Sequence, residues 1–219
     1  SWQNAWLRAD TRRMVVLQGL LQKRLDAMPP EEPMQLFLGY MIDTARGLSL
    51  FQTGRLKSCI EQLERVRAQR ESVMPFFETQ DRTPLTTPTS HAAFAYAVCG
   101  RYDRSKRILE EDFAMFGENT AEYHLTAFIG ANAGIIAGDY AYAHRLALGA
   151  ETARDDKMVA NAYAWARLYR LTAEVHLRVG EPEPSPEQVG RLLKDLEQQV
   201  DEVAATQNRT GLLMNYNLA

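Results

Sequence analysis

The stretch that decides the fold is AFAYAVCGRYDRS, residues 93–105. It places Gly100 between two runs of helix-forming residues, with a small residue seven positions before it (Ala93) and another five positions after it (Ser105). Two antiparallel helices joined by a tight turn approach closely only where the facing side chains are small. Glycine also allows the backbone conformation that such a turn requires. The stretch therefore predicts a helical hairpin.

The same pattern surrounds three more glycines, Gly54, Gly138 and Gly180. The four glycines are 46, 38 and 42 residues apart. The small residues seven positions before them are Gly47, Ala93, Ala131 and Ala173. The small residues that lie five positions after the first three glycines are Cys59, Ser105 and Ala143. This regularity indicates an internal repeat of four helix pairs.

Apolar residues between the turns recur three and four positions apart, as on one face of a helix. We therefore expect an all-α protein that forms a single domain over residues 1–219. The four predicted repeats cover residues 33–74, 88–117, 121–154 and 158–206, after a first helix at about 3–27. The Pro/Thr-rich residues 79–89 are predicted to be a connection before a helix at 90–99, and another helix is expected to begin near Thr210.

The composition excludes several classes of protein. The 219 residues carry a net charge of −3. Residues 1–110 contain 16 basic and 12 acidic side chains, and the remaining residues contain 9 basic and 16 acidic ones. There is no global basic excess to indicate a nucleic-acid partner, and no apolar run long enough to span a membrane. Two cysteines are too few for a disulfide framework. Without an initiator Met or a signal peptide, we interpret the chain as a piece of a larger cytoplasmic protein.

The helix–Gly–helix units, with Tyr102 and Tyr140 two positions after their glycines, resemble tetratricopeptide-type repeats. Their period is closer to the longer, degenerate repeats of MalT/LuxR-type transcriptional activators and nucleotide-cyclase-linked bacterial regulators. The resemblance covers roughly residues 34–206, although Leu56 replaces Tyr in the first unit and the fourth carries an insertion, Glu181–Pro186. It implies a right-handed superhelix of antiparallel helix pairs, an α-solenoid of about four repeats with flanking helices. It also implies a protein-interaction or ligand-sensing role in signalling or transcription regulation.

Motifs of the common catalytic and cofactor sites are absent from the sequence. There is no phosphate-binding loop, no Gly-x-Gly-x-x-Gly and no Gly-x-Ser-x-Gly. The histidines lie on different predicted helices, without the spacing of a metal-binding pair. We therefore expect no catalytic activity, no cofactor and no metal. An α-helical enzyme is the minor alternative.

In the superhelix that the resemblance implies, the first helix of each pair lines a concave groove. Positions 13, 10, 6 and 3 before each turn glycine share one face of that helix. This stripe is apolar and aromatic in the first three pairs and charged in the fourth. A peptide, or a small acidic effector, would rest its apolar part on the phenylalanines and its anion on the arginines. The predicted binding residues are Phe51, Phe94, Phe128, Asn132, Arg167, Arg170 and Glu174.

Other interpretations stay open at this stage. The phenylalanines are also typical of an ordinary helix core, and Arg170 has Glu174 at the spacing of an ion pair within one helix. The array is alternatively a structural scaffold for self-association, as in a homodimer, or for domain assembly. A membrane partner is not expected. Direct DNA binding is disfavoured by the net charge, and the basic cluster at residues 101–107 is typical of a solvated helix start.

Overall fold

A computed structural model describes residues 5, 8, 10–77, 82–118, 120–151 and 160–205. The regular structure of these residues is entirely helical, which confirms the all-α prediction. In chain order the elements are α1 (Thr11–Asp26), α2 (Pro33–Gln52), α3 (Leu56–Ala68), α4 (Arg70–Val73), a 3-10 helix (Met74–Phe77), α5 (Thr83–Val98), α6 (Tyr102–Met115), α7 (Ala121–Ala137), α8 (Tyr140–Glu151), α9 (Ala160–Val179) and α10 (Pro186–Ala205). The helix expected near Thr210 lies outside the described residues.

The helices pack mainly on their neighbours in sequence. The pairs α2–α3, α5–α6, α7–α8 and α9–α10 are in contact, and they correspond to the four predicted helix pairs. Consecutive pairs meet through contacts of α5 with α3 and α7, and of α9 with α7 and α8. Helix α1 packs on α2 before the first pair.

Three of the four predicted turns have the same geometry. Gly54, Gly100 and Gly138 have φ values of 71°, 72° and 77°, a left-handed conformation that favours glycine. In each turn the glycine N–H bonds to the carbonyl three residues earlier, at 3.0, 2.9 and 3.0 Å. The following N–H bonds to the carbonyl five residues before it, at 2.9, 2.8 and 2.9 Å. This is the Schellman pattern, which satisfies the last carbonyls of the first helix and directs the chain into the second.

The fourth turn is different. Gly180 is not among the described glycines with positive φ, and its N–H bonds to the His176 carbonyl at 3.1 Å. Helix α10 begins only at Pro186, because the insertion at 181–186 lengthens the connection. The prediction of four equivalent glycine turns therefore holds for three pairs, and the fourth pair uses a longer link.

Small residues lie buried where the helices of a pair cross, as the pattern predicts. Ala93, Ala131 and Ala173 are fully buried, as are Cys59, Ser105 and Ala143 on the partner helices. A Cβ added at Gly47 would lie 2.3 Å from Leu63 Cδ2 across the α2–α3 crossing. A Cβ at Gly134 would lie 3.0 Å from the Ala143 Cβ and 3.2 Å from its backbone nitrogen. Larger side chains at these positions would force the helices apart.

The prediction that residues 79–89 form a connection is wrong from Thr83 onward, because α5 begins there, and residues 79–81 lie outside the described residues. Pro84 occupies the first turn, where a missing N–H has no helical partner in any case. Pro88 lies inside the helix and removes the N–H that would bond to the carbonyl of Pro84. The hydroxyl of Tyr40 on α2 donates to that carbonyl at 3.1 Å instead. A tertiary contact therefore compensates for the proline.

Tyrosines after the turn glycines tie consecutive pairs together. Tyr102 donates its hydroxyl to Asp139 Oδ2 at 3.1 Å, across the gap between the second and third pairs. The ring of Tyr140 stacks on His176 of α9, with centroids 4.1 Å apart and planes 3° from parallel. The sequence position two residues after a turn glycine thus fills the space between one pair and the next.

Candidate functional site

The predicted aromatic stripe lies between the first helices of consecutive pairs. The rings of Phe51 and Phe94 have centroids 5.4 Å apart, and Phe128 stacks on Tyr169 at 5.5 Å. Phe94 is only 2% exposed, whereas Phe51 and Phe128 are partly buried against the same apolar cluster. The structure brings these phenylalanines together as packing between helices, as in an ordinary core.

The two central first helices, α5 and α7, have no solvent-facing side over most of their length. Residues 85–97 are buried except for the half-buried Thr87, and no residue of 121–136 is exposed. A helix surrounded in this way is typical of a protein interior. The stripe of the second and third pairs therefore offers little surface to a ligand in the described part of the chain.

Asn132 belongs to this interior. Its side chain is fully buried on α7, and neither amide atom has a hydrogen-bond partner among the described residues. A buried polar group without partners costs roughly 1–3 kcal/mol. Because Asn132 has no exposed surface, a peptide amide reaches it only if α7 separates from its neighbours.

The charged end of the stripe is paired within the protein. Arg170 donates from Nε to both carboxylate oxygens of Glu151, at 3.1 and 3.0 Å, and from Nη1 to Glu174 at 2.9 Å. The Glu174 pair has the four-residue spacing that the sequence indicates, whereas Glu151 comes from α8. An anionic ligand at Arg170 would have to displace a carboxylate. Arg167 is half-buried and makes no ion pair with another described residue.

A buried polar network joins α4, α5, α6 and α7. Asp112 is fully buried and accepts hydrogen bonds from Arg70 and Thr86. Thr126 lies 2.6 Å from the Thr86 hydroxyl and 3.3 Å from the Asp112 carboxylate, and Arg70 also donates to Thr89 at 3.2 Å. Burial raises the pKa of Asp112, against the opposing effects of Arg70 and Thr86. The hydrogen-bond donors and acceptors of this network pair with one another. The network therefore holds the four helices together and presents no open site.

The sequence contains one signal for this network, the pair Thr86 and Thr89. The signal is missed when residues 79–89 are predicted to be a connection and not a helix. Thr86 and Thr89 are three residues apart and therefore face the same way on a helix. Once the segment is helical, two hydroxyls point from one face of α5 into the interior. Buried hydroxyls of this kind require polar partners, which Arg70 and Asp112 supply.

A cleft of about 640 Å³ lies at the connection between α1 and α2. The described residues that line it include four carboxylates and no basic side chain; these are Asp26, Glu31, Glu32 and Asp43. Negative charge of this kind suits a cationic group, and not the small acidic effector expected at the stripe.

The basic cluster at the start of α6 makes contacts between helix pairs. Arg104 pairs with Glu64 of α3 at 3.2 Å, and Lys106 pairs with Asp139 at 3.0 Å. Burial alone would raise the pKa of Glu64, but Arg67 and the hydrogen bonds from Tyr96 and Arg104 lower it. Two of the four cations, Arg104 and Lys106, are therefore half-buried and held in ion pairs, which the prediction of a solvated helix start did not include, whereas Arg101 and Arg107 are exposed.

The two cysteines differ in their exposure. Burial raises the pKa of the Cys59 thiol to about 12, so it is uncharged at neutral pH, while Cys99 is exposed. Within the described ranges, His, Cys, Asp and Glu form no group of three or more that would hold a metal ion.

The helices of these ranges include none with the length and apolar character needed to cross a bilayer.

Comparisons of the chain with protein-family models, with curated proteins and with solved structures found no match in any of the three. The structure itself defines an all-α protein whose helices pack on their neighbours in sequence.

Proposed function

We propose that this chain is a non-catalytic, tetratricopeptide-like module of a cytoplasmic bacterial signalling or transcription-regulating protein. It binds a protein or peptide partner, or a small effector, at the partly exposed positions of the first helices, Phe128 on α7 and Arg167 on α9, because α5 and the rest of α7 are enclosed by their neighbours. The sequence resemblance motivates this proposal, and the local packing of the helix pairs supports it.

The observation that carries the proposal is the likeness of the turns at Gly54, Gly100 and Gly138. The same two hydrogen bonds end the first helix each time, and the second helix begins two residues after each glycine. Stacked hairpins of this kind create extended surfaces, which repeat proteins use for binding.

The chemistry of the binding side favours a peptide over a small acidic effector. Arg170 is already surrounded by Glu151 and Glu174, so Arg167 is the cation of the stripe that supports an anionic contact. The partly buried ring of Phe128, three residues before Ala131 on α7, supplies an apolar contact. A peptide with one apolar side chain and one carboxylate fits both features.

Peptide selection and hydrogen exchange test the proposal together. Short peptides are selected from a random display library on the 219-residue chain, and exchange is then measured with and without a selected peptide. We expect binders, and slower exchange in α7 and α9 when the peptide is bound. Slower exchange confined to the second helices α3, α6 and α8, or a library without binders, contradicts the proposal.

A second candidate function is that of a structural scaffold that self-associates. The observation that favours it is a set of exposed apolar side chains on α1, where Val15, Val16 and Leu20 are 63%, 62% and 58% exposed. Adjacent exposed apolar side chains of this kind are typical of a surface that contacts a neighbour. Self-association of a chain that yields no peptide binder would favour the scaffold.

A further inference from the structure

The outer side of α1 exposes an apolar patch, which we call the α1 patch and which consists of Val15, Val16 and Leu20. The opposite side of the helix packs on α2, with Met14 fully buried. Val16 and Leu20 are four residues apart, so they are adjacent on the helix surface. Single exposed apolar residues are ordinary, but adjacent ones on one face of a helix indicate a contact surface.

Positive charge flanks the α1 patch. The exposed charged residues of α1 are Arg12, Arg13, Lys23, Arg24 and Asp26. Arg12 lies four residues before Val16, and Arg24 four residues after Leu20, so the four side chains follow one another along the helix. None of the basic groups makes an ion pair with another described residue. The patch is therefore apolar at its centre and positive at both ends.

The outer face of α10 has the opposite charge. Its exposed charged residues are Glu187, Arg191, Lys194, Asp195, Glu197, Asp201 and Glu202, five acids against two bases. None of them makes an ion pair with another described residue. Leu193 and Val200, seven residues apart, are 44% and 49% exposed beside Glu197. We call this set the α10 face; the other side of the helix packs on α9 through the buried Val203.

These two surfaces lie at opposite ends of the order of helices. Helix α1 packs chiefly on α2, and α10 chiefly on α9. We propose that the α1 patch of one copy of this chain docks onto the α10 face of a second copy. The basic ends of the patch meet the acids of α10, and its apolar centre packs on Leu193 and Val200. Complementary charge at the rim and apolar contact at the centre are the usual composition of a specific interface.

The two surfaces differ, so the contact is head to tail. Each copy keeps a free patch at one end and a free face at the other, and association continues beyond a dimer unless the geometry closes a ring. The proposal specifies the contact through which the second candidate function, self-association, takes place, and it does not depend on which partner the first helices bind. An isologous contact of α1 with α1 would instead stop at two copies.

Sedimentation velocity of the 219-residue chain gives the first test. At low salt, about 50 mM, we expect the average mass to rise above 24.8 kDa with concentration and to include species larger than a dimer. At about 500 mM salt the mass should fall back, because screening removes the attraction between the charged rims. A chain that remains at 24.8 kDa at all concentrations and at both salt levels overturns the proposal.

Charge reversal identifies the surfaces. Variant one carries Arg12→Glu and Arg24→Glu, and variant two carries Glu197→Lys and Asp201→Lys. Each alone should weaken self-association at least tenfold, whereas an equimolar mixture of the two should associate again. A chain that carries all four changes should also associate, since the signs are exchanged on both surfaces. Failure of both the mixture and the fourfold variant to associate overturns the proposal.

A matched control separates these surfaces from general charge effects. Lys57→Glu with Arg107→Glu changes the net charge by the same amount as variant one, at exposed positions of α3 and α6. We expect this control to associate like the unchanged chain. Equal weakening by the control and by variant one would show that net charge, and not the α1 patch, governs association, and it would overturn the proposal. Circular dichroism checks that each variant keeps its helices.

Discussion

The hydroxyl of Tyr40 donates a hydrogen bond, 3.1 Å long, to the carbonyl of Pro84. That carbonyl is the one that Pro88 leaves without its donor inside α5, because proline has no N–H. Tyr40 is fully buried, and its burial raises the pKa of the phenol, so the group stays a donor at all ordinary pH values. A side chain of the first helix pair thus stabilises the start of α5. This helix begins at Thr83, seven residues before the start that the sequence predicts.

Tyr40→Phe should lower the free energy of unfolding by about 1 kcal/mol, because it removes the hydrogen bond to the partly buried Pro84 carbonyl. In a Pro88→Ala background the same change should cost clearly less, since alanine at that position restores the N–H of the helix. Urea denaturation of the four chains of this cycle measures the coupling. Equal costs of Tyr40→Phe in both backgrounds would show that the hydroxyl does not substitute for the missing N–H.

The bond between Tyr102 and Asp139 gives a second prediction. Tyr102→Phe should destabilise the protein by about 1 kcal/mol, because it removes a hydrogen bond between consecutive pairs. Tyr140→Phe is the matched control, since Tyr140 follows its own turn glycine by two residues and its hydroxyl has no hydrogen bond with the described residues. Thermal melts of both variants provide the comparison. Equal shifts would show that the Asp139 bond contributes nothing specific.

A third prediction concerns the crossing of α7 and α8. Gly134→Ala should lower stability by about 1–3 kcal/mol, because the new Cβ would meet the Ala143 backbone, which cannot move aside alone. Gly39→Ala, in the interior of α2 with nothing within 4 Å of its Cβ, should instead raise stability by about 0.5–1 kcal/mol. Chemical denaturation distinguishes the two signs. A gain at Gly134 would mean that these helices are farther apart than the structure places them.

A fourth prediction is a loss of stability in mild acid through His91. Burial lowers the pKa of His91 to about 4, from a usual value of 6.5, and Nδ1 lies 2.9 Å from the Thr87 carbonyl. Between these two pH values the unfolded chain binds a proton that the folded chain does not bind, so stability falls as the pH decreases. At pH 5.5 the loss should be roughly 1.2 kcal/mol relative to pH 7.

His91→Asn is the variant that checks this prediction, because its amide keeps a donor for Thr87 but takes up no proton. Unfolding of both chains in urea at about pH 7 and about pH 5.5 gives the comparison. The unchanged chain should lose more stability on acidification than His91→Asn. Identical losses would assign the acid sensitivity to other groups.

A fifth prediction concerns the buried amide of Asn132. Asn132→Leu should raise the melting temperature, since it replaces a polar group without partners among the described residues by an apolar one with the same number of side-chain atoms. Differential scanning calorimetry measures the shift. A lower melting temperature would show that the amide has a partner in solution, such as a buried water.

Local features of the fold were predictable from the sequence because their causes are local. A positive φ at Gly54, Gly100 and Gly138 follows from the residue type at the end of a helix, and small residues at fixed offsets follow from the crossing of two helices. The start of α5 was not predictable in the same way. Pro and Thr favour a connection, and contacts with residues distant in sequence, such as Tyr40 and Asp112, stabilise the helix instead.

The candidate site was less predictable, because its properties depend on how closely helices approach. Periodicity places Phe51 and Phe94 on corresponding faces of two first helices, but it does not show that their rings touch and close the space between them. Similarly, the pair of Arg170 with Glu174 follows from helical spacing, whereas the bond with Glu151 joins two different helices. Contacts of this second kind leave no periodic signal.

The most direct test of the proposed binding function is a calorimetric titration of one selected peptide into three chains: the unchanged chain, Arg167→Gln and Arg107→Gln. Arg167 belongs to the predicted stripe, while Arg107 is exposed on α6 and serves as the control. The proposal predicts that Arg167→Gln weakens binding at least tenfold and that Arg107→Gln leaves the Kd unchanged. Unchanged binding to Arg167→Gln, or an equal loss in both variants, would contradict a binding surface on the first helices.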